Sequence, residues 1–287
     1  MRVLICFMVM LALSLIVLYA QESYSATAAD FVVPSRADSI ASPLTFRTIQ
    51  TSMEAVDPAN QYRLRAGMDT YIGSGLTIID LPVSYAVNPD LQAQINIPLV
   101  AVGSAMETGL GDVRLSVKYR MDIDEFIETY FILTAKLPSG DQDKGLGTGA
   151  YDYSFTHKSV VTHGNYRTTL MAGITIPPPN TITVLGSKVE YGPTVSYMVA
   201  TERALASTKF RFAIKAAGLH AFNSRINSEY QQNSLTTLDI IPEVSWQFSK
   251  KGSLRGGIVL PLITVYDLPG AVNRRDPLLN IGVYTSF

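Results

Sequence analysis

The chain has 287 residues, 47% of them hydrophobic and 16% charged, with a net charge of −1. Soluble domains usually carry roughly 25% charged residues, and a near-neutral chain offers no electrostatic footing for nucleic acid or an acidic surface. The length suits one large all-β unit or two ordinary domains.

Arg2 precedes an apolar run over 3–19, followed by small residues. This predicts a secretory signal over 1–28, with Ala26-Thr27-Ala28 a better cleavage end than Leu18-Tyr19-Ala20; the competing reading is a membrane anchor. Cys6, the single cysteine, lies inside this segment. The mature chain is therefore expected to lack disulfides, thiol nucleophiles and thiolate metal sites. No later apolar run approaches spanning length, so any bilayer crossing must use strands. Residues 29–61 contain Pro34, Pro43 and Pro58 and read as a periplasmic segment. Within them 46–56 alternates weakly, as an extra strand or a plug would.

From residue 62 the hydrophobic period is two, which predicts a barrel over 62–287. Candidate strands are 62–73, 77–87, 92–101, 110–121, 126–137, 150–161, 166–177, 188–199, 208–220, 236–248, 253–265 and 278–287. These lengths match the roughly 9–11 residues of a tilted bilayer-spanning strand, against roughly 5–6 in globular sheets. The count is about twelve, and even, as bacterial barrels require. Turn chemistry at 88–90, 122–124, 163–165 and 249–252 gives tight connections. Longer links lie at 102–109, 138–149, 178–187, 221–235 and 266–277. Short turns at one end and long loops at the other is the outer-membrane layout. Two links depart from it: Gly73-Ser74-Gly75 is short where a loop is due, and 200–207 is long where a turn is due.

The strand faces sort by polarity. Leu115, Val117 and Tyr119 oppose Arg114, Ser116, Lys118 and Arg120; Phe210, Phe212 and Ile214 oppose Lys209, Arg211 and Lys215. Leu238, Ile240, Val244, Trp246 and Phe248 oppose Asp239, Glu243 and Gln247. A Lys or Arg facing lipid at mid-membrane costs roughly 2–4 kcal/mol. About a dozen such charges turned outward would exceed the whole net stability of a typical domain, roughly 5–15 kcal/mol. The charged faces must therefore look into an enclosed lumen. Tyr119, Phe126, Tyr166, Tyr197, Phe210, Trp246, Phe248 and Phe287 are expected as one aromatic belt near the short turns. Tyr71, Tyr151, Tyr153 and Tyr191 are expected as a second near the long loops. The last strand places Leu279, Ile281, Val283 and Phe287 on one face, with Phe287 as an assembly signal for the barrel-assembly machinery.

Two segments resemble a known family. Gly109-Leu110-Gly111-Asp112-Val113-Arg114-Leu115-Ser116-Val117-Lys118-Tyr119-Arg120 is similar to a strand of the outer-membrane transporters named for the MetA pathway of phenol degradation. Ala135-Lys136-Leu137-Pro138-Ser139-Gly140-Asp141, with Gly145-Leu146-Gly147-Thr148-Gly149, resembles that family's glycine-rich hairpin, with Ser139 in place of the more usual Thr. The resemblance implies an outer-membrane barrel passing small, often aromatic or apolar, compounds.

The residues themselves place Asp112, Arg114, Lys118, Arg120, Glu128, Lys136, Lys158, Lys209, Arg211, Lys215, Asp239, Glu243 and Arg255 in the lumen. They act there either as interstrand ion-pair braces or as a charged eyelet. Twelve strands leave a narrow or partly filled pore. The loop carrying Gly140, Asp141, Asp143, Lys144, Gly145, Gly147 and Gly149 folds inward as a constriction or forms an external tip. No metal or cofactor is expected, the histidines being scattered. His220, with Asn223 and Ser224, is the best-placed candidate for a lipid-hydrolase centre, but that pattern has no catalytic specificity, and His157 and His163 lack an evident Ser–carboxylate partner. The expectation is a single transmembrane, antiparallel, up-and-down β-barrel of the outer membrane, contacting lipid and acting as a passive channel rather than an enzyme. A plugged structural barrel and a lipid-modifying barrel enzyme are the alternatives.

Overall fold

The computed structural model describes residues 64–73, 76–102, 107–177, 182–184, 187–190, 192–205, 209–226, 229–230, 234–266 and 275–287. The expected signal segment 1–28, the segment 29–61 and Tyr191 lie outside these residues. The strands are β1 (Leu64–Gly73), β2 (Leu76–Ala86), β3 (Leu91–Val102), β4 (Glu107–Leu110), β5 (Arg114–Asp122), β6 (Ile127–Lys136), β7 (Asp152–His163) and β8 (Tyr166–Ile176). They continue with β9 (Ile182–Val184), β10 (Ser187–Glu190), β11 (Thr194–Ala204), β12 (Phe210–Ala221), β13 (Arg225–Ile226), β14 (Glu229–Tyr230), β15 (Leu235–Trp246), β16 (Gly252–Tyr266) and β17 (Leu278–Ser286).

Twelve of them pair in the order β1-β2-β3-β5-β6-β7-β8-β11-β12-β15-β16-β17, and β17 returns to β1. Every pairing is antiparallel. Closure runs from Arg65 opposite Ser286 to Ile72 opposite Leu279, and the Phe287 amide donates to the Leu64 carbonyl at 2.8 Å. A closed ring leaves no sheet edge, the only arrangement in which strands satisfy every backbone group inside hydrocarbon.

The turns at one end follow from their residues. Asn88 Oδ1 accepts from the Asp90 and Leu91 amides at 2.9 and 2.8 Å. Asp124 Oδ1 does the same for Phe126 and Ile127, at 2.8 Å each. Between β7 and β8, His163 faces Tyr166 across a two-residue turn in which Gly164 sits at φ +56°, the left-handed geometry that matches strand twist in tight hairpins.

Four expectations need correction. The run 188–199 is not one strand: Ser187–Glu190 belongs to a separate loop sheet ordered β14-β13-β10-β9, and the barrel strand starts at Thr194. With that shift, 200–207 shrinks to a connection between Ala204 and Phe210. The run 110–121 is broken at 111–113, where β4 pairs with the upper part of β3 before β5 begins. Tyr71 is not an outer-belt residue: it shares the face of Asp69 and is buried. Tyr197 lies across from Gly218, near the loop end rather than the turn end.

The outer wall is a continuous apolar belt. Leu133, Ile214 and Leu262 are 60–65% exposed, and Trp246, Phe210 and Phe248 form a stacked and edge-on aromatic group beside the turns. Inward positions on the same strands carry most of the charges, and the deepest are buried: Lys158 is 0% and Lys215 2% exposed. The greasy belt with an ionised interior fixes which face meets lipid, since the reverse would put each cation into hydrocarbon at roughly 2–4 kcal/mol.

Candidate functional site

The lumen is lined by alternate residues of each strand, and its polar groups gather into separate networks. The first is a girdle crossing β1, β12, β15, β16 and β17. Arg255 Nη2 lies 2.5 Å from Asp69 Oδ1, and its Nε lies 3.8 Å from Glu243 Oε2. Lys215 Nζ lies 2.7 Å from the same Glu243 oxygen. Tyr284 OH donates to Asp69 and accepts from Arg255, while Arg255 and Arg65 sit 5.0 and 4.6 Å from its ring centre. Room for this packing comes from Gly282, where a Cβ would collide with the Asp69 carboxylate, and Gly67, where it would enter the Tyr284 ring.

The second network holds the glycine-rich loop. Asp112, in the break between β4 and β5, accepts from the amides of Gly140 at 3.1 Å and Thr148 at 2.8 Å, and from the Thr148 hydroxyl at 2.8 Å. Lys136 Nζ bridges Asp152 at 2.5 Å and Asp112 at 3.4 Å, and also donates to Thr148. Ser139 Oγ accepts from the Val113 amide and donates to the Gly111 carbonyl, both at 2.8 Å. These bonds draw the loop against the wall. Leu146 is buried with Tyr71, Ile78 and Val100, and Leu76 and Val102 pack beside it. Gly147 is obligatory, because a Cβ there would strike Asp112 and the Gly140 backbone. Gly145 and Gly149 take left-handed φ values of +72° and +67°. Asp141 and Lys144 stay exposed as a 3.6 Å surface pair, and Asp143 is exposed too.

The same apolar cluster continues across the lumen through Met171, Met198, Ile241, Val259 and Leu278. All occupy inward positions, so the lumen contains an apolar collar between its polar networks. Asp80 accepts from Asn96 at 2.7 Å, Asn96 from Gln94 at 2.6 Å, and Arg114 Nη2 stands 3.9 Å from Asp80. Arg275, ahead of β17, donates to Asp239 and to Thr264. Nearer the turns, Arg120 binds Asp122 at 2.7 Å and approaches Glu128 at 3.6 Å. Arg211 binds Glu202 at 2.9 Å, and Lys158 lies 4.9 Å from the Tyr130 ring centre.

The structure thus places Asp112, Arg114, Lys118, Arg120, Glu128, Lys136, Lys158, Arg211, Lys215, Asp239, Glu243 and Arg255 on inward positions, buried or half-buried. Lys209 is exposed in the turn before β12. Phe287 sits at the seam, with its side chain outward and exposed. Sequence reasoning missed Asp69, Asp80, Asp152, Tyr284 and Arg275. Parity was the available signal for the four strand residues; nothing local marks Arg275. His220 contacts Thr236 at 2.8 Å and meets the Phe222 ring edge-on. His157 lies on the outer face, 3.5 Å from Ser159. Among the described residues no group of three or more His, Cys, Asp or Glu is arranged to hold a metal.

No family model and no curated protein matches this sequence. Among solved structures, an outer membrane channel from Pseudomonas putida F1 superposes with a TM-score of 0.66 at 14% identity, over 81% of this chain and 100% of that one. The NanC porin gives 0.55 at 11% identity, over 78% and 100%. The translocator domain of the autotransporter NalP from Neisseria meningitidis gives 0.52 at 11%, over 89% and 100%. At these identities the likeness is one of fold. With the closed twelve-strand ring and its lipid-facing belt, it makes the chain a β-barrel protein of the outer membrane.

Proposed function

We propose that the barrel is a passive channel for small, apolar or aromatic compounds crossing the outer membrane. The observation that carries this reading is the apolar collar inside an otherwise polar lumen, with Leu146 of the inward loop in its wall. Tyr71, Ile78, Val100, Ile241 and Leu278 all turn inward and pack in this one apolar cluster. Alkyl and ring surfaces there offer an apolar solute a partly dehydrated passage, whereas hydrated solutes meet a barrier. Two structures sharing the fold are described as an outer membrane channel and a porin, and the resemblance to the phenol-pathway transporters points to the same solutes.

Planar-bilayer recording tests the reading. Purified protein should give discrete KCl conductance that added phenol or benzyl alcohol interrupts in a concentration-dependent way, while glucose does not. Absence of conductance, together with no uptake of aromatic solute by lipopolysaccharide-coated vesicles, would refute it.

A further inference from the structure

We infer that a hydroxyl ladder on one side of the lumen selects the solute, so that the channel favours neutral molecules with an apolar body and a hydroxyl or carbonyl group at one edge. This rests on the channel reading and narrows its solute class. Ser116, Thr134, Ser154 and Thr175 are direct cross-strand partners on β5, β6, β7 and β8, all at inward positions. The Ser116 and Thr134 hydroxyls lie 2.8 Å apart, and so do those of Ser154 and Thr175. In the next inward row towards the turns, Thr156 and Ser196 flank Gly173. A Cβ at Gly173 would stand 2.7 Å from the Thr156 hydroxyl and 3.0 Å from that of Ser196. Between β6 and β11 these two described rows contain no charged residue.

The wall across from the ladder is apolar. In a closed ring of twelve strands the strand six places on lies opposite, so β5, β6, β7 and β8 face β15, β16, β17 and β1. Those strands turn Ile241, Val259, Leu278 and Tyr71 inward. The four ladder residues, Tyr71 and Leu278 lie on the loop side of their strand midpoints, and Ile241 and Val259 lie at theirs, so the two walls overlap in height. Met171 and Met198 of the apolar cluster sit lower on β8 and β11, nearer the turns. The hydroxyl pairs keep capacity for a guest. Each hydroxyl carries one donor and two acceptor sites, so a bonded pair retains one donor and three acceptors. Thr134, Ser154, Thr175 and Ser196 are partly exposed, with their side chains turned to the lumen. The girdle differs, because Lys215 and Arg255 are taken up there by Asp69 and Glu243. A solute lying across the lumen can therefore set its hydroxyl or carbonyl on the ladder and its ring or chain on Val259 and Leu278. An analogue without the polar group forgoes that bond, which is how hydrogen-bonding sites discriminate. An ionised solute would have to shed hydration beside uncharged groups.

Single-channel recording of reversible current block tests this, with benzyl alcohol and ethylbenzene as probes of similar size. Thr134→Val with Thr175→Val keeps side-chain shape and removes one hydroxyl from each pair. It should shorten benzyl alcohol block events roughly two- to tenfold, the weight of one neutral hydrogen bond, and leave ethylbenzene events unchanged or longer. Ser116→Ala with Ser154→Ala should do the same, and serves if the valine variant does not insert. Thr70→Val, on the outer wall opposite Ile281, should change neither. Equal changes for both probes, or no change for benzyl alcohol, overturn the ladder and leave the channel standing. No conductance from the unmodified protein, with no uptake of aromatic solute, overturns both.

Discussion

The outer wall and the lumen of this barrel are built from alternate residues of the same strands, yet they obey different rules. On the outer wall each side chain meets lipid almost independently. Ile214, Leu262 and Val265 need only be apolar, and exchange among aliphatics changes little. In the lumen each charge is defined by its partners: Asp69 serves Arg255 and Tyr284, and Glu243 serves Arg255 and Lys215. The wall is specified by composition and the lumen by pairing. Substitutions should therefore be tolerant and additive outside, and severe and coupled inside.

The largest effect should come from breaking a luminal pair. Arg255→Leu leaves Asp69 and Glu243 buried without their shared cation and should destabilise by roughly 3–5 kcal/mol, read as a lowered urea midpoint of the folded band in heat-modifiability gels. An Asp69→Asn and Arg255→Leu double variant should cost less than the sum of its parts, as expected for residues in one network. Asp112→Ala removes the acceptor of three loop hydrogen bonds and one partner of Lys136. It should release the loop, so that single-channel current becomes larger and noisier.

Putting a charge on the wall comes next. Ile214→Lys should cost roughly 2–4 kcal/mol, whereas Ile214→Val should stay within about 1 kcal/mol, in the same gel assay. Gly164→Ala should cost about 1 kcal/mol, because alanine at φ +56° is strained in the turn joining β7 and β8. An equal loss for Ile214→Val and Arg255→Leu would erase the distinction between wall and lumen.

How much was legible in the sequence follows from the same contrast. Period two is visible where inward residues are polar and outward ones apolar, as in Arg114, Ser116 and Lys118 against Leu115, Val117 and Tyr119. The twelve-strand ring was therefore legible. The reading failed at β11, because Met198 and Ala200 point inward yet are apolar, so the polarity contrast fades where the strand runs on. It failed at 111–113, because Asp112 keeps the inward parity of its neighbours while Gly111 and Val113 bond outside the ladder. The collar was hidden for the same reason as β11: Tyr71 and Ile241 look like belt residues until their parity with Asp69 and Glu243 is applied. Arg275 was beyond reach, since its partner Asp239 is 36 residues away and only the pairing of β15, β16 and β17 brings them together.

One measurement bears most directly on which face meets lipid. Nitroxide labels on cysteines introduced singly at Leu133 and Thr134, adjacent on β6, should report opposite surroundings in a reconstituted bilayer. Leu133, outward and 60% exposed, should be relaxed by oxygen and shielded from a water-soluble nickel complex. Thr134, facing the lumen, should show the lower oxygen contact of the two. Strong nickel contact at Leu133, with oxygen contact confined to Thr134, would mean that the apolar belt does not face acyl chains.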